Sequence, residues 1–287
     1  MTRAVSLHTL LLAVVLAGAG AWRTPAAHAL AVTAESRAVA PGEVVLLTIT
    51  GATSAPRARV FGRELRAFAG DAGAWRVLVG IDLDVKPGKY AVAIDAGADK
   101  ATHILDVVAK AFRTRELKVD DAFVNPSAAS QLRAADEAKV IAAIWEESAK
   151  EPLWSGPFIR PVAEAANSAF GSRSVFNGQA RNPHSGADFL SPAGTPVKSP
   201  NGGRVMLARN LYYSGNTVII DHGLGVFSFF AHFSAMNVSR GDRVEAGTVV
   251  GKVGATGRVT GPHLHWMVRI GGARVDPLAL LALLGSK

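Results

Sequence analysis

The sequence has no cysteine in its 287 residues. That absence excludes a disulfide scaffold, a thiol nucleophile, thiolate-held zinc and lipid attachment through an N-terminal cysteine. Any metal must therefore be held by histidine and carboxylate. Tight runs of Lys or Arg are also missing, and so is an aromatic stacking platform, which argues against a nucleic-acid partner. There is no His-Glu-x-x-His helix motif, no glycine-rich loop ending in Lys-Ser/Thr and no twin-arginine pair.

The chain is long enough for two modest domains. Its hydrophobic fraction of 49% is ordinary for a globular protein and excludes a multi-span membrane chain. Residues 1–29 read as a secretory signal peptide. Arg3 gives the positive start, Thr9 to Trp22 is an uncharged, mainly apolar run, and Ala27-His28-Ala29 offers a small-x-small cleavage pattern. The run is shorter than the ~20 residues a membrane span needs. Export to the periplasm or cell envelope, or secretion, is the compartment this implies. The formal charge of +8 falls to +6 once Arg3 and Arg23 leave with the signal. A basic exported protein suits anionic surfaces such as cell-wall polymers or lipid headgroups.

Residues 32–110 carry short strand-like segments, among them Glu43 to Thr50, Arg57 to Phe61, Trp75 to Val79, Tyr90 to Ile94 and His103 to Val108. Pro41-Gly42, Gly70-Asp71 and Pro87-Gly88 punctuate them, a spacing that predicts a β-sandwich-like domain. It shows no chemistry of its own, and His103 has no second ligand nearby. Residues 111–157 form a connecting segment with a helix at about 127–150, starting at Asn125-Pro126-Ser127. Helical spacing puts Ala134, Ala138, Ile141 and Trp145 on its packed face, with Asp136, Glu137 and Lys139 elsewhere. Pro152, Pro157 and Pro161 mark the linker beyond it. From residue 158 to 287 glycine becomes frequent, strands shorten and five of the eight histidines appear. This region reads as a compact all-β domain, with the apolar run Pro277 to Leu284 docked on it. The fold expected is mainly β.

Gly261-Pro262-His263-Leu264-His265-Trp266 holds the first chemical signal. On a strand, His263 and His265 project from one face, and Leu264 and Trp266 anchor the other. Upstream, His184-Ser-Gly-Ala-Asp188 sets an imidazole and a carboxylate four residues apart, with Gly186 allowing a bend between them. Combined with His265 this makes two imidazoles and one carboxylate, a set suited to catalytic zinc with one position open.

Three blocks carry a resemblance: Asn182-Pro-His-Ser-Gly-Ala-Asp-Phe189, Phe229-Phe-Ala-His-Phe-Ser234, and the stretch from Gly251 through Gly-Pro-His-Leu-His-Trp266. In order and spacing, the region from about Gly171 to Leu284 resembles the lysostaphin/LytM-type zinc metallopeptidases that cut peptidoglycan peptides. The resemblance implies an antiparallel β metallopeptidase domain and one Zn2+ per chain, held by His184, Asp188 and His265. It implies His232 and His263 as the catalytic pair, and His222 as a non-ligand with a structural or surface role. The expected function is an exported endopeptidase that hydrolyses peptide cross-links of peptidoglycan by metal-activated water. The alternative on the same fold is a non-catalytic regulator that activates a cell-wall amidase. Some relatives place a Tyr shortly before the first zinc-binding His, and residues 178–183 contain none; Phe230 stands where relatives often carry Tyr. Restraint of the active site by the N-terminal domain is a further expectation, resting only on its position ahead of the catalytic region.

Overall fold

The computed structural model describes residues 30–118, 124–167 and 170–285. The expected signal, residues 1–29, lies outside them. Among the described residues no helix is long and apolar enough to cross a membrane.

The N-terminal region is a sandwich of two antiparallel sheets. Its strands are β1 (Ala31–Ser36), β2 (Val44–Thr50), β3 (Arg57–Val60), β4 (Arg63–Arg66), β5 (Phe68–Ala69), β6 (Trp75–Gly80), β7 (Gly88–Ala96) and β8 (Asp99–Val107). One sheet runs β1-β2-β6-β5 and the other β4-β3-β7-β8. Val45, Leu47 and Ile49 of β2 fill the space between the sheets with Val77, Val79, Val92, Ile94 and Leu105. The alternate residues Val44 and Leu46, with Leu78, turn outward into the core of the C-terminal region. β2 is therefore buried on both faces, which is why its sequence is a continuous apolar run and not an alternation.

The connecting segment contributes β9 (Thr114–Leu117) and helix α1 (Ala128–Glu146). The Ser127 side chain caps α1 by accepting from the Ser130 N–H at 3.2 Å. The helix stops short of the expected residue 150. Beyond it the Asp221 carboxylate takes the Ser148 hydroxyl at 2.7 Å and the Ala149 N–H at 2.9 Å, drawing the chain off the helical path. The packed face also differs, since Glu137 and Ile144 are buried while Ala138 is exposed. Glu137 tolerates this because its carboxylate accepts from Arg133 Nε and from the Tyr212 N–H, both at 2.7 Å.

The C-terminal region follows with β10 (Arg173–Phe176), β11 (Gln179–Ala180), β12 (Ala187–Phe189), β13 (Pro196–Lys198), β14 (Gly203–Leu211), β15 (Gly215–Gly223) and β16 (Val226–Phe233). It closes with β17 (Ala235–Met236), β18 (Arg243–Val244), β19 (Val249–Lys252), β20 (Leu264–Ile270), β21 (Ala273–Val275) and α2 (Pro277–Leu284). The main sheet has the order β12-β20-β16-β15-β14-β18, with β21 beside β20. A second sheet, β13-β19-β17, and a third, β11-β10-β9, complete it. On one face of the main sheet Phe230, Leu264, Trp266, Val268 and Ile270 join the central core. On the other, Ile219, Phe227, Phe229 and Ala231 are covered by Ile141, Ile144 and Trp145 of α1.

Beyond shared apolar packing, ion pairs tie the sandwich to the C-terminal region. Arg37 bridges Glu43 at 2.8 Å and Asp276 at 2.7 Å, and Lys110 adds a third contact to Glu43 at 2.7 Å. Arg274 grips Asp82 at 2.6 Å and Asp84 at 2.7 Å. Asp276 also caps α2 by accepting from the Leu278 N–H at 3.0 Å.

Candidate metal centre

Strand β20 presents Leu264 and Trp266 to the core, each fully buried, and leaves His265 on the opposite, half-buried face. On its one flank β12 pairs antiparallel, with Asp188 directly across from His265. On the other flank β16 sets Ala231 across from the same residue. His184 stands just before β12, its backbone fixed by His184 N–H to Ser172 O at 2.9 Å and Gly171 N–H to His184 O at 2.7 Å. Gly186 is required between His184 and Asp188 for space rather than for a special bend. A Cβ there would lie 2.5 Å from Trp266 O and 2.7 Å from His265 Cε1.

The three side chains converge on a small triangle. Asp188 Oδ1 is 2.9 Å from His265 Nδ1 and 3.1 Å from His184 Nε2, and the two nitrogens are 3.0 Å apart. Protons alone cannot satisfy all three edges. If both nitrogens carry hydrogens toward the carboxylate, two N–H groups face each other; if one does not, a lone pair faces an oxygen. A cation at the centre removes the conflict, and three donors about a tetrahedral zinc at ~2.0–2.2 Å would stand ~3.3 Å apart. Among the described residues this is the group able to hold a metal ion. Ligation through Nε2 puts the His184 proton on Nδ1, a buried nitrogen with no hydrogen-bond partner among the described residues. Burial works against the Asp188 charge, but hydrogen bonds from His184 and His265 outweigh it and hold the carboxyl far below its usual range. Burial lowers His265, outweighing the hydrogen bond to Asp188, which acts to raise it.

Two further imidazoles face the triangle. The His263 ring lies 4.8 Å from that of His232, tilted by 47°, and His263 Nε2 is 4.0 Å from Asp188 Oδ1. In each ring Nδ1 meets a carbonyl, Gly261 O at 3.0 Å for His263 and Thr256 O at 2.9 Å for His232. A carbonyl only accepts, so Nδ1 carries the proton in both and Nε2 is left with its lone pair. Burial, the largest effect on His232, lowers it to about 4.

Strict alternation along β16 would send His232 to the core face beside Phe230. It does not go there because its backbone is left-handed, with φ of 67°. At that point the register to β15 slips between Asn216 and Val218, so the strand carries a bulge. The bulge returns Phe233 to the core, stacked on Phe230 at 6.2 Å, and turns His232 toward His263.

His222 stands apart from this group. Its Nδ1 donates to Gly202 O at 2.7 Å, and its Nε2 accepts from Ser228 Oγ, 2.9 Å away, which in turn accepts from Trp266 Nε1 at 3.1 Å. Full burial lowers it to about 4, so it is a neutral link in the core. Phe230 stacks on Trp266 at 6.3 Å, filling core space where a Tyr hydroxyl would need a partner. Sequence reading missed Thr256, whose carbonyl fixes the His232 tautomer; a lone Thr in a glycine-containing loop carries no pattern that would identify it.

Comparison with known proteins matches residues 182–277 to the family described as Peptidase family M23. A solved structure of a putative peptidase M23 from Pseudomonas aeruginosa is 31% identical with a TM-score of 0.71, the match covering 86% of this chain and 96% of that one. Peptidoglycan DD-endopeptidase ShyA of Vibrio cholerae is 43% identical over 96 residues, which is 33% of this chain and 22% of that protein. DD-carboxypeptidase/endopeptidase Mpg of Neisseria meningitidis is 42% identical over 97 residues, 34% of this chain and 22% of that protein. The chain thus spans under a quarter of the length of these two curated relatives.

Proposed function

The chain belongs to peptidase family M23, and on that premise we propose that it is a zinc-dependent endopeptidase of the cell envelope that hydrolyses peptide cross-links of peptidoglycan. The observation that carries the proposal is the His184–Asp188–His265 triangle, unsatisfiable by protons and faced by two imidazole lone pairs. In this reading His184, Asp188 and His265 hold one Zn2+. When bound, zinc supplies Lewis acidity, bringing the pKa of a water to ~7 and polarising the scissile carbonyl.

The chain's own groups supply the rest. Asp188, committed to the triangle, is not a free base, and proton transfer falls to His263 and His232. Both keep Nε2 lone pairs, with their tautomers fixed by Gly261 and Thr256. The pair accepts a proton as the nucleophile forms, returns one to the leaving amine and stabilises the oxyanion. The full set of five residues favours catalysis over the regulator alternative. Support for the substrate comes from the names of the two curated relatives. Export rests on the composition of residues 1–29 and the basic charge.

Restraint in cis is a proposal that falls on the linker. The sandwich packs beside the far end of β20, whereas β9 pairs with β10 at the lip beside His184, and α1 lies on the His265 face. Phe112→Ala, which loosens β9 against Gly171, should then speed digestion of purified wall; equal or slower digestion sinks the restraint.

The function itself is tested with zinc-loaded protein and cross-linked muropeptide dimers. Conversion to monomers that stops with chelator and resumes with zinc is expected. A chain that leaves dimers intact but accelerates a purified wall amidase would replace this reading with the regulator.

A further inference from the structure

The turn between β14 and β15 carries an aromatic surface that neither the triangle nor the histidine pair uses. Tyr212 and Tyr213 meet edge to face with centroids 4.8 Å apart. The Arg258 guanidinium lies over both rings, 5.7 Å from Tyr212 and 5.5 Å from Tyr213. Tyr213 is nevertheless 52% exposed. We propose that Tyr213, backed by Tyr212 and Arg258, is a saccharide subsite that seats a sugar ring of the glycan strand bearing the cleaved peptide. The identity of this ligand rests on the wall substrate proposed above.

The platform is fixed relative to the chemistry. The turn and the loop holding Arg258 are joined by Arg258 N–H to Tyr213 O and by Asn216 N–H to Thr256 Oγ1, both at 2.9 Å. Gly257 is obligatory at the seam: its φ is +81°, and a Cβ there would meet the Gly215 N–H and lie 2.6 Å from Tyr213 O. Each side of this seam then grips His232. Ser214 O accepts from the His232 N–H, and Thr256 O accepts from His232 Nδ1, both at 2.9 Å. The platform and a proposed catalytic imidazole are one unit, so whatever lies on Tyr213 is registered to the reacting bond.

The platform is also supported from beneath. Helix α1 offers the buried Glu137 carboxylate to the Tyr212 N–H at 2.7 Å and Arg133 to Asn210 Oδ1 at 3.0 Å. The buried carboxylate is offset by Arg133 Nε at 2.7 Å, so the turn is held from beneath by a paired charge. This also gives the connecting helix a role the sequence did not suggest.

The chemistry of this surface fits a sugar. An exposed tyrosine surface with negative quadrupole suits the C–H face of a pyranose, and the N–H groups of the guanidinium over the rings suit hydroxyl and acetamide oxygens. A peptide that binds by adding a strand needs an open sheet edge, which a turn does not offer.

The test uses full-length, zinc-loaded protein and peptide-free glycan strands as the probe. Wild type should bind them, Tyr213→Ala should bind about five- to tenfold more weakly, and Tyr213→Phe should keep wild-type affinity because the ring is retained. On disaccharide-bearing muropeptide dimers Tyr213→Ala should raise KM by a similar factor while kcat is little changed. The loss should be several-fold smaller on the same dimers freed of sugar. No glycan binding by wild type, equal binding by Tyr213→Ala, or equal losses on sugar-free dimers would overturn the proposal. If glycan binds as expected but no dimer is cleaved, the hydrolase reading falls and the saccharide site stands.

Discussion

Asp188 on β12 sits directly across the antiparallel ladder from His265 on β20, and their side chains meet at 2.9 Å. Neighbours across a strand pair are the closest side chains a sheet can offer, so one hydrogen-bonded step sets carboxylate and imidazole at coordination distance. His184, four residues before Asp188, completes the set from the adjoining loop.

Removal of any member of this triangle should release the metal. Elemental analysis should find one zinc per wild-type chain and less than about a tenth of that in Asp188→Ala, His184→Ala or His265→Ala. A metal bound to the folded state alone, at a hundred times its Kd, adds ~2.7 kcal/mol of stability. Chelation should therefore lower the wild-type Tm, and the three variants should show no such response. Full zinc occupancy in Asp188→Ala would refute the ligand assignment.

His263→Ala and His232→Ala should separate binding from chemistry. Neither ring belongs to the triangle, so zinc content should stay near one per chain. The kcat for dimer cleavage should fall by about 10²- to 10⁴-fold, the usual contribution of general acid–base groups. Loss of zinc in both variants would assign these rings to the metal instead.

His222→Leu should behave in the opposite way. It removes the acceptor of the Ser228 hydroxyl and the donor to Gly202 O in the core without touching the site, so stability should drop by about 1–3 kcal/mol for each group left unpaired. Denaturant titration reads the loss, and zinc content should be unchanged.

Acid should loosen the junction between the sandwich and the C-terminal region. Burial tends to raise the Glu43 carboxyl, but hydrogen bonds from Arg37 and Lys110 prevail and hold it below its ordinary 4.5. Burial likewise opposes, and Arg274 then outweighs, the effect on Asp82, held below its ordinary 3.8. A depressed folded-state pKa means stability that is complete above those ordinary values and is lost as pH falls through the folded ones. The Tm contribution should thus be flat from neutrality to about pH 5 and decline below about 4.5. Glu43→Gln should lower the Tm at pH 7 and flatten the acid decline; an unchanged acid slope would contradict this.

Much of the C-terminal site was legible because its signals are local. The alternation Leu264-His265-Trp266 matches the two faces of β20, and the resemblance implied His184, Asp188 and His232, which the fold brings close to one another. What was hidden depends on backbone detail or distant partners. β12 is three residues long, too short for a period, and its pairing with β20 comes from the fold. The turn of His232 out of the core needs a left-handed residue at the β16 bulge, which alternation predicts wrongly. Glu137 looked solvent-facing because its partner, the Tyr212 N–H, lies 75 residues away. The apolar run of β2 was a missed sign: Val44 and Leu46 are apolar because another region covers them.

The most direct test of the account digests purified peptidoglycan with zinc-loaded protein and identifies the new termini by mass spectrometry, with His265→Ala alongside. The account predicts new amino and carboxyl termini at the peptide cross-links with wild type and none with the variant. Equal digestion by His265→Ala, or wild-type cleavage confined to glycan bonds, would contradict it.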